Sequence, residues 1–197
     1  KGEARLNGYY SQTDYTSGAE VQGALAVSKN IGVMLNTAFL DGGRDGNGYL
    51  LEGGAGYYKP FAEKWVFESY AGVGFGSANN NDSWEGTSKV NFTKCFVQPS
   101  VGYASKYFDA GVASRFSGVY MKVTDYQPEI SSYNLEYVKA HPNSYLWEPS
   151  GFIAAGFQQA KLRLQMTYSL NLNNKELSQE DLIVALGVSF NIKPKNK

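Results

Sequence analysis

Apolar and polar residues alternate with a period of two along most of the chain. In residues 161–171, Leu162, Leu164, Met166, Tyr168 and Leu170 share one face while Arg163, Gln165, Thr167 and Ser169 share the other, as a β-strand with two unlike faces requires. Residues 182–192 repeat the rhythm, with Leu182, Val184, Leu186, Val188, Phe190 and Ile192 on one side and Ile183, Ala185, Gly187, Ser189 and Asn191 on the other. Eight earlier segments show it too: residues 2–11, 18–27, 31–40, 49–58, 65–77, 90–103, 108–120 and 146–157. The reading is therefore about ten strands, or eight if two of the less regular segments belong to loops.

The connections alternate in length. Residues 28–30, 59–64, 104–107 and 158–160 are short, whereas 41–48, 78–89, 121–145 and 172–181 are longer; the short stretch 12–17 is the exception. Short turns at one end and long loops at the other predict an up-and-down antiparallel transmembrane β-barrel, with turns and termini in the periplasm and loops outside. Strands of about ten residues suffice to cross a bilayer at a tilt of about 45°. The expectation is one domain spanning residues 1–197.

The choice of lipid-facing side follows from charge. Trp65, Phe67, Ser69, Ala71, Val73 and Phe75 place aromatic residues at both ends of one face, as interfacial girdles require. The opposite face carries Glu68, which a lumen tolerates and lipid does not. Applied throughout, this rule turns Glu3, Arg5, Glu20, Glu52, Glu68, Lys94, Asp109, Arg115, Glu148 and Arg163 inward. Charges of both signs in a narrow barrel are expected to pair across the lumen. Inward glycines beside Tyr9, Tyr58, Tyr70, Phe96 and Phe152 fit the small-and-large packing of a plugged interior. Pro99 and Pro149 fall inside proposed strands, where each removes a ladder hydrogen bond and counts against the reading; bulges or strand starts could accommodate them.

Composition narrows the classes further. The 197 residues include 22 Gly, 15 Tyr and 11 Phe, with 18% charged residues, a balance that favours strands over helices. Eighteen basic residues match eighteen acidic ones, so nothing selects nucleic acid as a partner. A single cysteine, Cys95, and a single histidine leave no internal disulfide and too few soft ligands for structural zinc. No run approaches the ~18 apolar residues of a membrane helix. Lys1 to Arg5 already belongs to an alternating segment, so a leader either has been removed or lies upstream.

Few residues suggest chemistry. Gly72-Val73-Gly74-Phe75-Gly76 lacks the strand-to-helix context and the Lys-Ser/Thr of a phosphate loop. Residues 41–48 and Asn79-Asn80-Asn81-Asp82 offer oxygen ligands without the spacing of a calcium loop. His141 stands in the long 121–145 loop with Asp125, Glu129, Ser131, Ser132, Glu136 and Ser144 nearby in sequence, the one arrangement that admits a membrane hydrolase. Residues 131–140 suit a short helix with Tyr133 and Tyr137 on one face. Glu52, Glu68 and Glu148 read more simply as lumenal ion-pair members than as paired catalytic carboxylates. Cys95 has no activating histidine beside it in sequence. Catalytic, cofactor and metal residues are accordingly assigned to none.

Val27-Ser28-Lys29-Asn30-Ile31-Gly32-Val33-Met34, Gly54-Ala55-Gly56-Tyr57-Tyr58, Gln98-Pro99-Ser100-Val101-Gly102-Tyr103 and Trp147-Glu148-Pro149 resemble small outer-membrane β-barrel proteins of Bacteroidota. The resemblance covers most of the chain. It implies an outer-membrane barrel surrounded by lipid and lipopolysaccharide, carries no catalytic residues to transfer, and includes lipoprotein members whose acylated cysteine would precede Lys1. The expected role is a non-enzymatic structural or accessory subunit docking to a larger outer-membrane transport or assembly complex. The alternatives are a barrel holding a lipid or small ligand, which calls for an apolar interior, and the His141-centred hydrolase.

Overall fold

The computed structural model describes residues 2–13, 16–43, 46–82, 86–126, 133–177 and 181–192. Its strands are β1 (Ala4–Gln12), β2 (Ser17–Ala26), β3 (Ile31–Asp41), β4 (Gly46–Pro60), β5 (Trp65–Asp82), β6 (Gly86–Ala104) and β7 (Phe108–Tyr126). A helix, α1 (Tyr133–Ala140), precedes β8 (Asn143–Gly156), β9 (Ala160–Tyr168), β10 (Leu170–Asn171) and β11 (Leu182–Ile192). The two-residue β10 prolongs β9 along the same neighbour, β8. Each strand pairs antiparallel with the next, and β1 closes on β11. The result is a closed barrel of ten long strands, which leaves no sheet edge open.

All ten segments read from the alternation are strands, and the faces fall as the charge rule requires. Leu35, Val73, Val112 and Leu162 are 60–64% exposed on the outside, whereas Glu52 and Lys161 are 2% exposed inside. Polarity is inverted relative to a soluble barrel: apolar residues cover the exterior and charged ones fill the interior. Exposed aromatics gather at both ends of this surface, with Tyr57, Phe61, Trp65, Tyr107, Phe108 and Phe157 near the short turns. Tyr10, Phe39, Tyr49, Phe75, Phe116 and Tyr168 form the second belt.

Small residues make room for large ones inside. A Cβ on Gly72 would lie 2.7 Å from Phe96 Cζ and 2.3 Å from the Gly53 carbonyl oxygen. One on Gly111 would lie 2.6 Å from Phe152, and one on Gly187 2.7 Å from Tyr9. These glycines are there because neighbouring rings occupy the space.

The structure departs from expectation in several places. Strands β4 to β7 run for 15, 18, 19 and 19 residues, against 9 to 11 for β1 to β3, β9 and β11. Much of the stretch 78–89 read as loop is therefore hairpin, paired out to Asp82 and Gly86. About ten residues cross a bilayer, so the surplus of roughly eight in β5 to β7, at ~3.3 Å each and tilted, lifts one wall of the barrel by on the order of 20 Å, while β4 passes β3 at that end by a single residue. The prolines lie in strand interiors, at neither bulges nor strand starts. β6–β7 pairing stops at Val97–Phe116 and resumes in the same register at Ser100–Ala113, skipping Pro99. Likewise β8 pairs at Trp147 and again at Ser150, skipping Pro149. Each ladder opens where an imino nitrogen has no proton to donate. The one register shift in β6 falls elsewhere, between Lys89 and Val90.

Candidate functional site

The lumen is the candidate site, and its charged side chains form two levels. At mid-strand, Glu52 of β4, Lys94 of β6, Arg115 of β7 and Glu148 of β8 converge. Arg115 Nη1 donates to both Glu52 oxygens at 3.2 and 2.9 Å, and its Nε donates to Gln98 Oε1 at 2.6 Å. Lys94 Nζ lies 2.9 Å from Glu148 Oε2 and 3.8 Å from Glu52 Oε1. Ser117 Oγ donates to Glu148 at 2.6 Å, and Asn36 Nδ2 to Glu52 at 3.3 Å. Two acids and two bases neutralise one another, which is what makes their burial tolerable.

Nearer the short turns the arrangement changes. Lys161 Nζ bonds Asp109 Oδ1 at 2.5 Å and the Ser105 carbonyl at 2.6 Å, while the Ser105 amide donates to the same carboxylate. Arg163 sits over the Phe152 ring, its guanidinium carbon 3.4 Å from the ring centroid. Its Nη2 contacts Gln165 at 3.3 Å, Tyr9 lies beside the same guanidinium, and its buried Nε has no hydrogen-bond partner among the described residues. Arg5 Nε donates to Asn191 at 3.1 Å. Glu68 faces the same space with no ion pair or side-chain hydrogen bond among the described residues. A cavity of about 450 Å³ runs past both levels, from Leu40 and Gly48 near the loop end to Val66 and Gly102 near the turns. The plug expected from the sequence thus occupies the lumen partly, along β4 to β8.

Of the inward charges read from the sequence, Glu52, Lys94, Asp109, Arg115 and Glu148 pair across the lumen. Arg5, Glu20, Glu68 and Arg163 line the cavity and form no ion pairs among the described residues. Glu3 is exposed ahead of the first residue of β1. Lys161 was missed, although it is two residues from Arg163 on the same face of a strand whose alternation is clear.

The other candidates separate. His141 is exposed at the end of α1, stacked on Tyr137 at 4.4 Å with Nδ1 3.3 Å from the Tyr137 carbonyl oxygen. Ser144 Oγ is taken by Asn174 at 3.0 Å, and Glu136 by Lys139 at 2.8 Å. Glu129, Ser131 and Ser132 lie outside the described residues, as does the Tyr133 side chain, so the paired tyrosine face of α1 is seen only at Tyr137. Lys139 also sits 3.5 Å from the Tyr126 ring centroid, and its hydrogen bond to Glu136 holds its ammonium above the ordinary lysine range. Asp41 caps its own loop by accepting the Gly43 amide at 2.8 Å, and Asn79 bonds Asn47 across β4 and β5. Cys95 is exposed on the outer face with its thiol toward the Gly118 carbonyl. Gly72 to Gly76 are interior residues of β5. Among the described residues no three His, Cys, Asp or Glu side chains converge as metal ligands.

The sequence matches no protein-family model, and no curated protein matches it significantly. In structure it is similar to the N-terminal β-barrel domain of Pseudomonas aeruginosa OprF, at 12% identity over 98% of both chains with a TM-score of 0.46. It is also similar to the translocator domain of the autotransporter NalP from Neisseria meningitidis, at 8% identity over 96% of this chain and 86% of that one, TM-score 0.47. The closed antiparallel ladder, apolar exterior, aromatic belts and charged interior make the architecture that of an outer-membrane β-barrel.

Proposed function

We propose that this barrel is a structural or accessory subunit of the outer membrane that offers the raised β5 to β7 wall to a larger membrane assembly. The carrying observation is the asymmetry of strand length: three adjacent strands, β5 to β7, continue well past what a bilayer needs toward the loop end. Alpha-helix α1 packs beside that wall, with Val138 buried and the Met121 amide bonded to the Pro142 carbonyl. Asn174 ties the neighbouring loops together by donating to the Asn143 carbonyl and Ser144. A braced wall of this kind suits contact better than a solvated loop does. In this reading the short turns are periplasmic, the wall is external, and lipid and lipopolysaccharide surround the apolar band. The role requires no catalysis. Arg5, Glu20, Glu68 and Arg163 on the cavity wall would each lose hydration against an acyl chain, so lipid storage is the weaker reading.

The test is mild detergent extraction followed by capture through a tag in the 178–180 connection, comparing the native chain with one whose residues 80–88 are replaced by a two-residue Asn-Gly turn. A membrane protein captured in fixed ratio with the native chain and lost with the shortened wall supports the role. Capture of the barrel alone by both chains overturns it.

A further inference from the structure

The two charge levels of the lumen differ in a way that points to a ligand. At mid-strand every ionised group has a partner within 4 Å. Nearer the turns, Arg5 and Arg163 stand on β1 and β9, the two neighbours of β11, and so share one wall. Glu68 stands on β5, four strands from β1 in one direction and beyond β9 in the other, on the opposite wall. Opposite charges that close to contact lower their energy greatly in a confined lumen. Here the closed ladder fixes their backbones on facing walls, and no ion pair forms across the gap. Arg163 is 7% exposed, and its guanidinium sits between the Phe152 and Tyr9 rings with a long contact to Gln165 and an Nε that has no hydrogen-bond partner among the described residues.

From this juxtaposition of Arg5 and Arg163 facing Glu68 across an open lumen, we infer that the barrel binds a small zwitterion there. Its carboxylate lies between the two guanidinium groups and its ammonium against Glu68. Charge complementarity selects the class: a bare anion meets Glu68 and, beside Tyr9, Glu20, whereas a bare cation meets two arginines. The cavity of about 450 Å³ falls within the ~300–1,000 Å³ of small-molecule sites. Its run along the lumen supplies the entry path. The inference stands whether or not the outer wall docks a partner.

The chain has four arginines, Arg5, Arg44, Arg115 and Arg163, so the arginine Nε–H region of an NMR spectrum of the full chain in detergent micelles is sparse. Glycine, 4-aminobutanoate and 6-aminohexanoate are titrated as zwitterions of increasing charge separation, with butanoate and butylammonium as the two halves. The expected result is a saturable shift of the Arg5 and Arg163 signals with at least one zwitterion. Arg115, bonded to Gln98, stays in place, and both halves bind at least about tenfold more weakly. Glu68→Gln, which disturbs no ion pair, then weakens the zwitterion about tenfold and strengthens butanoate, because the carboxylate that repels a bare anion is gone. Butanoate binding as tightly as every zwitterion reduces the site to an anion site and overturns the proposal, as does the absence of any shift. An unaltered remainder of the spectrum shows that the variant is folded.

Discussion

Replacing Glu52 by Gln is the sharpest perturbation of the mid-lumen cluster. Glu52 is 2% exposed and accepts two hydrogen bonds from Arg115 Nη1 and one from Asn36, with Lys94 3.8 Å away. Glutamine keeps the volume but removes the charge, so two cations then face one remaining acid, Glu148. Removing one partner of a buried pair costs about 3–5 kcal/mol. Three features reduce that cost: Lys94 keeps Glu148, Arg115 keeps Gln98, and the adjoining cavity admits water. A loss of about 2–3 kcal/mol follows, which for urea slopes of ~1–3 kcal/mol/M moves the unfolding midpoint down by about 1 M or more. The assay is reversible urea unfolding from lipid vesicles, followed by tryptophan fluorescence. Adding Arg115→Gln removes the stranded cation, and the double-mutant cycle gives a coupling of at least about 1.5 kcal/mol. Glu68→Gln is the internal control, since that carboxylate has no ion-pair partner, and it changes stability by less than about 0.5 kcal/mol. If Glu52→Gln costs no more than Glu68→Gln, the ion-pair account of the lumen is refuted.

Two further outcomes follow from packing and from the lipid-facing surface. Gly72→Ala puts a methyl group against the Gly53 carbonyl and the Phe96 ring and costs about 1–3 kcal/mol, whereas Gly8→Ala meets nothing within 4 Å and stays within about 0.5 kcal/mol of the native chain or above it; equal urea midpoints contradict this. Leu35→Arg, at a position 60% exposed to the exterior, costs about 2–4 kcal/mol in vesicles, and a neutral result places that face in water.

The strands were legible because lipid on one side and a charged lumen on the other impose a strict two-residue period. The same reasoning explains where legibility ends. Above the bilayer neither side of a strand touches lipid, so Gly46 to Gly48 and Ala78 to Asp82 keep their ladder bonds without an alternating pattern and look like loop. That inward charges would pair was readable, but which ones meet was not. Glu52 reaches Arg115 three strands away, a match set by barrel stagger and side-chain length instead of by neighbouring register. Arg5, Arg163 and Glu68 look like the same kind of residue in sequence, and only their places around the barrel keep them apart. Pro99 and Pro149 argued against strand interiors because a missing donor usually ends a ladder. A closed barrel holds the register on both sides of the gap and lets the strand continue.

The most direct test is a spin-label scan along β5 in lipid vesicles, one cysteine at a time from position 65 to 80 in a Cys95→Ser background, with oxygen as the lipid-phase relaxant and a nickel chelate as the aqueous one. Through residues 65–75 the account predicts oxygen access at odd positions and protection from oxygen at even ones. From about position 77 onward that alternation gives way to nickel access, where the wall leaves the membrane. Oxygen access at the even positions, or nickel access along the whole strand, would contradict a membrane barrel with an apolar exterior and a raised wall.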